Sequence, residues 1–594
     1  MKRYLLLLLV LTLALVFASC GGDTPITTTP TTTQPTTSTA NQDNPNNPNN
    51  PPKDSNQVTE GLEYTLNDDG ESYSVSGIGT CTDTDIVIPS TYNEKPVTSI
   101  GDNAFQFCAS LTSITIPDSV TSIGEYAFQH CKLLTSITIP NSVTEIGGYA
   151  FQDCTSLTSV TIPDSVTEID RGAFYGCTSL TNIDIPDSVT NIDYSAFYGC
   201  SSLTSITIPN SVTEIGGYAF KDCTSLTSVT IPDSVTEIDW GAFYGCTSLT
   251  NIDIPDFVTK IDDYIFRGCT SLTSITIPDF VTSIGWYAFE GCSSLTSITI
   301  PEGVTSIESM AFYGCTSLTS VTIPDSMMSI GDGAFIDVSN IIVDKNNGYY
   351  CSIDGNLYNK DVTTLVQYAC GKQNTSFTIP DSVTSIGPLA FYGCSSLTSI
   401  TIPDSVTYID RRTFSGCTSL TSVTIPNSVK GIYELAFYGC TSLTSVTIPD
   451  SVTHIDEWVF RDCTSLQYNE YGNAYYLGNE NIPYYVLIKT KDLNITNCEI
   501  HPDTKVIADE AFDYCKSLTS ITIPDSVTSI GNAAFDNCTS LTSVTFENTE
   551  GWWYSAWSNE TSGTSISSTY LADPATAATY LKSWYCNKYW NRTE

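Results

Sequence analysis

The side chains that could do chemistry in this chain are 22 cysteines, three histidines and 64 acidic residues. Ten of the cysteines, at positions 108, 131, 154, 177, 200, 223, 246, 269, 292 and 315, stand 23 residues apart. Thiols can form disulfides, hold a metal or act as nucleophiles, and each use demands its own spacing. Zinc sites take paired ligands such as Cys-x-x-Cys, and the chain has no such pair. A disulfide needs Cβ atoms about 3.8 Å apart. Cysteines recurring once per rung of a stacked structure point the same way at the strand spacing of about 4.8 Å. The expectation is a buried column of free thiols packed as small apolar side chains. Cys81 and Cys586, near the two ends, and Cys351 and Cys370, in one irregular stretch, are the places where that rule could be broken.

His130, His454 and His501 fall at different phases of the pattern or in a degenerate stretch, and none has a nucleophile setting such as Gly-x-Ser-x-Gly. Glycine-rich phosphate loops are absent as well. No catalytic residue, no cofactor and no enzymatic activity are therefore expected. The acids recur at fixed places, as at Asp118, Asp164, Asp187 and Asp233 after a proline. Stacked over one another such charges repel, and Asn141, Asn210 and Asn427 interrupt the column. The alternatives are a solvated acidic edge and a column bridged by a divalent cation. The dense Gly-Asp repeat of calcium-binding rolls is missing, so no metal site is expected.

The element that must position all of these is a 23-residue unit, which from Cys154 to Gly176 reads CTSLTSVTIPDSVTEIDRGAFYG. Leu157, Val160 and Ile162 end in the two-residue alternation of a strand rich in β-branched residues. Pro163, lacking an N–H, stops it. A second extended piece runs from Val166 to Ile169, and Gly-Ala-Phe-Tyr-Gly leaves room for about one tight helical turn. One unit cannot bury its own Leu, Val, Ile and Phe, whereas stacking like over like does so. The fold class is a β-rich repeat solenoid with a parallel sheet of short strands, roughly twenty rungs at one strand spacing each.

The Cys-x-x-Leu-x-x-Val-x-Ile-Pro-x-x-Val-x-x-Ile-x-x-x-Ala-Phe-x-x-Cys pattern, seen from Cys154 to Cys177 and again from Cys223 to Cys246, resembles the BspA-like family of bacterial surface antigens. It covers roughly Ile86 to Phe546. The resemblance implies a leucine-rich repeat superhelix and a role in adhesion to host matrix proteins or to other cells.

In chain order, residues 1–19 form a basic head and an apolar run, read as a secretory signal peptide. Ala18-Ser19-Cys20 resembles a lipoprotein cleavage site in which Cys20 is lipidated, although Phe17 departs from the usual Leu. Residues 20–57 are a Thr/Pro/Asn-rich disordered tether. Residues 58–107 are read as an N-terminal hairpin cap and first rung, 108–338 as regular repeats and 339–376 as a hairpin island. Repeats resume over 377–466, a second island occupies 467–494, repeats return over 495–546, and 547–594 form an aromatic C-terminal cap. The cap aromatics could alternatively make a carbohydrate platform. No other apolar run is long enough to span a bilayer.

With 23 basic against 64 acidic residues the net charge is −41, which repels nucleic acid and anionic lipid and attracts basic surfaces. Rows of Thr, such as Thr158, Thr181 and Thr204, read as a neutral β-surface, a hydrogen-bonding platform or, least in keeping with the motif, an ice-binding array. The candidate binding surface is aromatic. Tyr126, Tyr149, Tyr194, Trp240, Trp286, Tyr287 and Trp458 lie just before the Ala-Phe positions, and Tyr175, Tyr198, Tyr244 and Tyr313 just after them. Exposed, they form a recognition stripe; packed, they are filler. The functional expectation is a monomeric, lipid-anchored surface binding protein whose partner is a protein or glycoprotein of host matrix or neighbouring cells. A passive spacer or coat protein is the competing class, and a carbohydrate binder using the Tyr/Trp stripes is a third. Local differences such as Phe257, Phe280 and Met327-Met328 are where a specific site would show.

Overall fold

The computed structural model describes residues 58–556, 560 and 562–593. The signal peptide, Cys20 and the tether lie outside the described residues. Residues 58–594 form one unit, a β-solenoid of about 21 turns.

Each rung has three sides. On the first, Ser159–Thr161 pairs in parallel with Ser136–Thr138 one rung back, placing Val160 beside Ile137. Pro163 then closes a corner by accepting from the Val166 N–H at 3.0 Å. On the second, Glu168–Ile169, Asn191–Ile192, Glu214–Ile215 and Glu237–Ile238 form a parallel sheet with isoleucine over isoleucine. The third side is three overlapping tight turns. The N–H groups of Ala150, Gln152 and Cys154 bond back to the carbonyls of Gly147, Tyr149 and Phe151. The alternate N–H groups of Tyr149, Phe151 and Asp153 donate to Arg171, Ala173 and Tyr175 of the next rung at 2.7–2.8 Å. Every side of a rung therefore satisfies its backbone against a neighbour, which is what lets short extended pieces persist.

The turn geometry holds Tyr149 and Asp153 at φ +56°, and the equivalent positions in the next rung are Gly172 and Gly176 at +59° and +69°. A Cβ on Gly172 would lie 2.2 Å from the Tyr149 ring. Glycine there both relieves the backbone and makes room for the tyrosine.

The core consists of ladders. Phenylalanine rings stack without a break from Phe105 to Phe335, with centroids from 5.1 Å (Phe289–Phe312) to 5.9 Å (Phe243–Phe266) apart. The cysteine column lies beside them. Each thiol donates to the carbonyl of the phenylalanine one rung back, as Cys154 to Phe128 and Cys200 to Phe174, both at 3.2 Å. The column is free and buried from Cys131 to Cys315. The spacing argument fails at one cysteine of the regular pattern. Cys394 is joined to Cys370 in a disulfide with Cα atoms 4.8 Å apart. Cys370 comes from the irregular stretch, out of register with the column, so its side chain meets Cys394 instead of lying parallel to it. Cys81, Cys351 and Cys586 are free.

Two stretches interrupt the repeat. In the first, Asn340–Val343 still pairs in parallel with Ser320–Ile323. Tyr350–Ile353, Asn356–Asn359 and Thr364–Gln367 then form an antiparallel sheet that returns to the solenoid by pairing Thr364–Gln367 with Ser385–Ile386. Buried Asn347 holds its entry, donating to Pro324 O and Met327 O and accepting from the N–H groups of Tyr349 and Tyr350. In the second, Asn469–Tyr471, Ala474–Leu477 and Val486–Thr490 repeat the device and hand over to Val506–Ile507.

At the N-terminal end, Glu63–Leu66 and Tyr73–Gly77 form a hairpin against the first sheet. At the other end, Tyr589–Arg592 pairs antiparallel with both Ser529–Ile530 and Trp552–Ser555, closing the sheet edge. Asp573 caps the short helix Pro574–Thr579 through the Thr576 N–H. Trp552 and Trp590 are buried against Phe546. They cover the end of the core, so the carbohydrate platform expected there as an alternative is not formed by these two rings.

Candidate functional site

The aromatic residues singled out from the sequence all lie on the turn side, where they separate into rows. The inner row sits at the left-handed backbone position two residues before the core phenylalanine. It contains Tyr126, Tyr149, Tyr218, Tyr264 and Tyr287, all half-buried. Tyr126 stacks on Tyr149 at 5.3 Å, and Tyr264 on Tyr287 at 5.4 Å. The outer row, one residue earlier, holds Tyr194, Trp240 and Trp286, exposed by 37%, 40% and 46%. Of the set only these three reach freely into solvent, together with Trp458, which takes the inner-row position in a later rung and is 42% exposed. Trp240 leans on Tyr218 at 4.3 Å, and the Trp286 indole donates to Glu308 at 2.8 Å.

The third row follows the core phenylalanine and holds Tyr175, Tyr198, Tyr244 and Tyr313, all half-buried. Tyr175 and Tyr198 stack at 4.5 Å. Tyr313 meets Tyr392 edge-on at 5.9 Å across the first interruption.

Two cations bind these rows together. The Lys221 ammonium lies 4.6, 5.2 and 4.7 Å from the ring centres of Tyr198, Tyr218 and Tyr244, and donates to the Tyr198 hydroxyl at 2.9 Å. The Arg267 guanidinium lies 5.3, 5.7 and 5.6 Å from Tyr244, Tyr264 and Tyr287, and is paired with Glu290 at 2.7 Å. Such cages attract cations through the ring faces, and here the chain's own side chains fill them. Burial pushes the Tyr218 and Tyr313 phenols up to about 12, so they stay protonated and can donate hydrogen bonds at neutral pH.

The stripe is thus part scaffold and part surface. The half-buried tyrosines and their cations form a packed base from which Tyr194, Trp240 and Trp286 project. Tyr218, Tyr264, Lys221 and Arg267 were missed by sequence reasoning. Tyr218 and Tyr264 share the phase of Tyr149, which was the available signal; the cations share the phase of Tyr175.

A second exposed feature lies at the proline corner. There Ser142, Ser188 and Ser234 donate to the carbonyls of Val120, Val166 and Val212 one rung back, at 2.5–2.7 Å. Phe257 and Phe280 replace the next two serines, are 60% and 61% exposed, and stack at 6.4 Å. The serine bond returns at Ser326, which donates to Val304 O.

The threonine row is engaged structurally: Thr158, Thr227 and Thr273 hydroxyls donate to carbonyls of Thr135, Thr204 and Thr250 at 3.0–3.2 Å. The histidines act as packing groups. His130 stacks on Phe107 and faces Asp153, and His501 stacks on Tyr484. His454 is buried, and desolvation lowers its basicity to about 4. Among the described residues no group of three or more His, Cys, Asp or Glu is arranged to hold a metal ion, and no helix is long and apolar enough to cross a membrane.

This repeating architecture matches a profile of the BspA type leucine-rich repeat region over residues 98–227, 213–342, 363–481 and 480–570. The chain belongs to that family. Among solved structures it is similar to a leucine-rich repeat protein of Bacteroides ovatus, with 27% identity over 79% of this chain and 95% of the other, and a TM-score of 0.44. A leucine-rich cell surface protein of Faecalibacterium prausnitzii shares 29% identity over 69% and 93% of the two chains, with a TM-score of 0.35. The pneumococcal vaccine antigen PcpA shares 21% over 61% and 82%, with a TM-score of 0.37. No curated protein matches.

Proposed function

We propose that this BspA-type chain is a bacterial cell-surface binding protein, held by lipid on Cys20 and presenting the turn side of its solenoid to a protein or glycoprotein of host matrix or neighbouring cells. The observation that carries this reading is where the rungs differ. Their buried positions repeat, while Tyr194, Trp240, Phe257, Phe280 and Trp286 put exposed rings within five consecutive rungs at positions where neighbouring rungs carry Gly, Asp, Arg or Ser. A spacer has no need to put large rings in water at positions where its other rungs do without them. Exposed aromatics on a rigid, packed base lose little side-chain entropy on contact and suit a binding centre. Membership of the BspA-type family supports the location, and the net charge of −41 favours partners with basic patches.

The test uses residues 58–594, which form one compact unit, against immobilised matrix glycoproteins, polysaccharides and whole bacterial cells. Saturable, competable binding that falls at least tenfold in Trp240→Ala/Trp286→Ala supports the reading. Folded protein that binds none of them, or binds equally well without those two rings, sinks it and favours the spacer; binding to polysaccharide alone favours the carbohydrate reading.

A further inference from the structure

The stack is interrupted where the rung around His454–Ile455 meets the rung around Val506–Ile507. Phenylalanine rings are stacked from Phe391 to Phe460 and again from Phe512 to Phe535. Among the described residues no ring contact joins Phe460 to Phe512. The sheet is also diverted, since Val506–Ile507 pairs with the inserted strand Val486–Thr490. The Asp509 N–H still reaches Ile455 O at 3.2 Å, but beside it opens a cleft of about 320 Å³ lined by residues of both rungs and of the insert.

Carboxyl groups face one another across this break. Asp456 and Glu457 come from one rung, Asp509 and Glu510 from the other. The Glu457 and Glu510 carboxyl groups lie against each other across the break, so each disfavours a charge on the other. Asp509 is almost fully buried. One of its oxygens accepts from the Asn532 N–H at 2.9 Å, while Oδ2 is buried without a hydrogen-bond partner among the described residues. Asp456 Oδ1 lies 3.6 Å from His454 Nε2, and the Tyr589 ring stacks on His454 at 5.4 Å. Glu434 and Asp410 approach Asp456 from the preceding rungs and add to the negative field. The cations that line the cleft are Arg461 from the first rung and Lys489 from the insert, alongside Asp462. Arg461 lies over the Trp458 ring and Lys489 over those of Tyr468 and Tyr475.

We propose that this junction is a proton-held hinge: Asp456, Glu457 and Asp509, packed with Glu510, keep the two rungs closed while they hold protons, and losing those protons opens the cleft. Desolvation and neighbouring acids raise Asp456 to about 7 and Glu457 to about 8, and push Asp509 well above the carboxylate range. In the open, hydrated form each returns towards about 4. The closed form therefore binds more protons, is most favoured at acid pH, and loses ground as pH rises from about 4 to about 8. Each proton released multiplies the opening equilibrium by up to about tenfold per pH unit within that window.

Hydrogen exchange on residues 58–594, corrected for the intrinsic pH dependence of exchange, tests this at pH 5.5, 7 and 8.5. Opening of segments 452–462 and 505–512 is expected to rise at least tenfold from the lowest to the highest pH, while segments within 108–338 stay constant as an internal reference. Asp456→Asn/Asp509→Asn should flatten the rise, and Glu457→Gln should reduce it if the double variant does not fold. A wild-type profile independent of pH, or a variant with the wild-type slope, overturns the proposal. So does closure at pH 8.5 that depends on added Ca²⁺ and is abolished by chelator while pH has no effect, since a cation would then be the latch.

Discussion

At the scale of single residues, the cysteine column shows how burial removes chemistry that composition suggests. Desolvation pushes the Cys154, Cys200 and Cys269 thiols up to about 12, which leaves on the order of one thiolate in ten thousand at pH 8. Each thiol proton is instead directed at a phenylalanine carbonyl. Alkylation of folded residues 58–594 at pH 8 should therefore modify Cys81, Cys351 and Cys586, the half-buried free thiols outside the column, at least a hundredfold faster than Cys154 or Cys200. Peptide mass mapping reads this directly, and equal labelling of the column would mean that its burial is wrong. The same map under non-reducing conditions should return Cys370 linked to Cys394. The column was legible in the sequence because its period sets its geometry. Cys394 was not: it has the pattern of its neighbours, and only the path of the irregular stretch before it brings Cys370 within reach.

At the scale of the rung, the ladders rank positions by what a change removes. Phe220→Ala takes a ring from the middle of an unbroken stack and should cost about 3–5 kcal/mol of local stability by denaturant melting. Phe257→Ser and Phe280→Ser should act in the opposite direction. A serine there restores the donor to the carbonyl one rung back, worth about 1 kcal/mol, and removes rings that are mostly in water. If those rings serve recognition, the variants become more stable and bind at least tenfold more weakly. If they serve packing, they melt earlier. The three-sided rung and its core were readable from one 23-residue unit, because strand alternation, proline and Ala-Phe recur in register. The partition of the aromatic stripe into buried base and exposed crest was not. It turns on a single-residue difference in phase between Tyr149 and Trp240, and on left-handed turns that spacing alone does not disclose.

At the scale of the whole molecule, charge and contact can be separated. A chain with 64 acids and 23 bases carries a field that reaches partners before any ring touches them. The cations of the packed base, Lys221 and Arg267, already lie among tyrosine rings and acids, so the projecting rings offer mainly apolar and hydrogen-bonding contact. Long-range attraction governs encounter, and desolvated contact governs residence. Raising ionic strength from 0.05 to 0.5 M shrinks the screening length to roughly a third. For a basic partner, surface plasmon resonance should then show association slowed by about tenfold and dissociation changed by less than about twofold. Trp240→Ala/Trp286→Ala should do the reverse, speeding dissociation and leaving association near the wild-type value. Were salt to accelerate dissociation as strongly as the loss of the two tryptophans, the bound state would rest on ion pairs along the acidic second side, where Glu168, Glu214 and Glu237 share one sheet with Asn191 between the first two. The binding face would then have to be moved from the turns to that sheet.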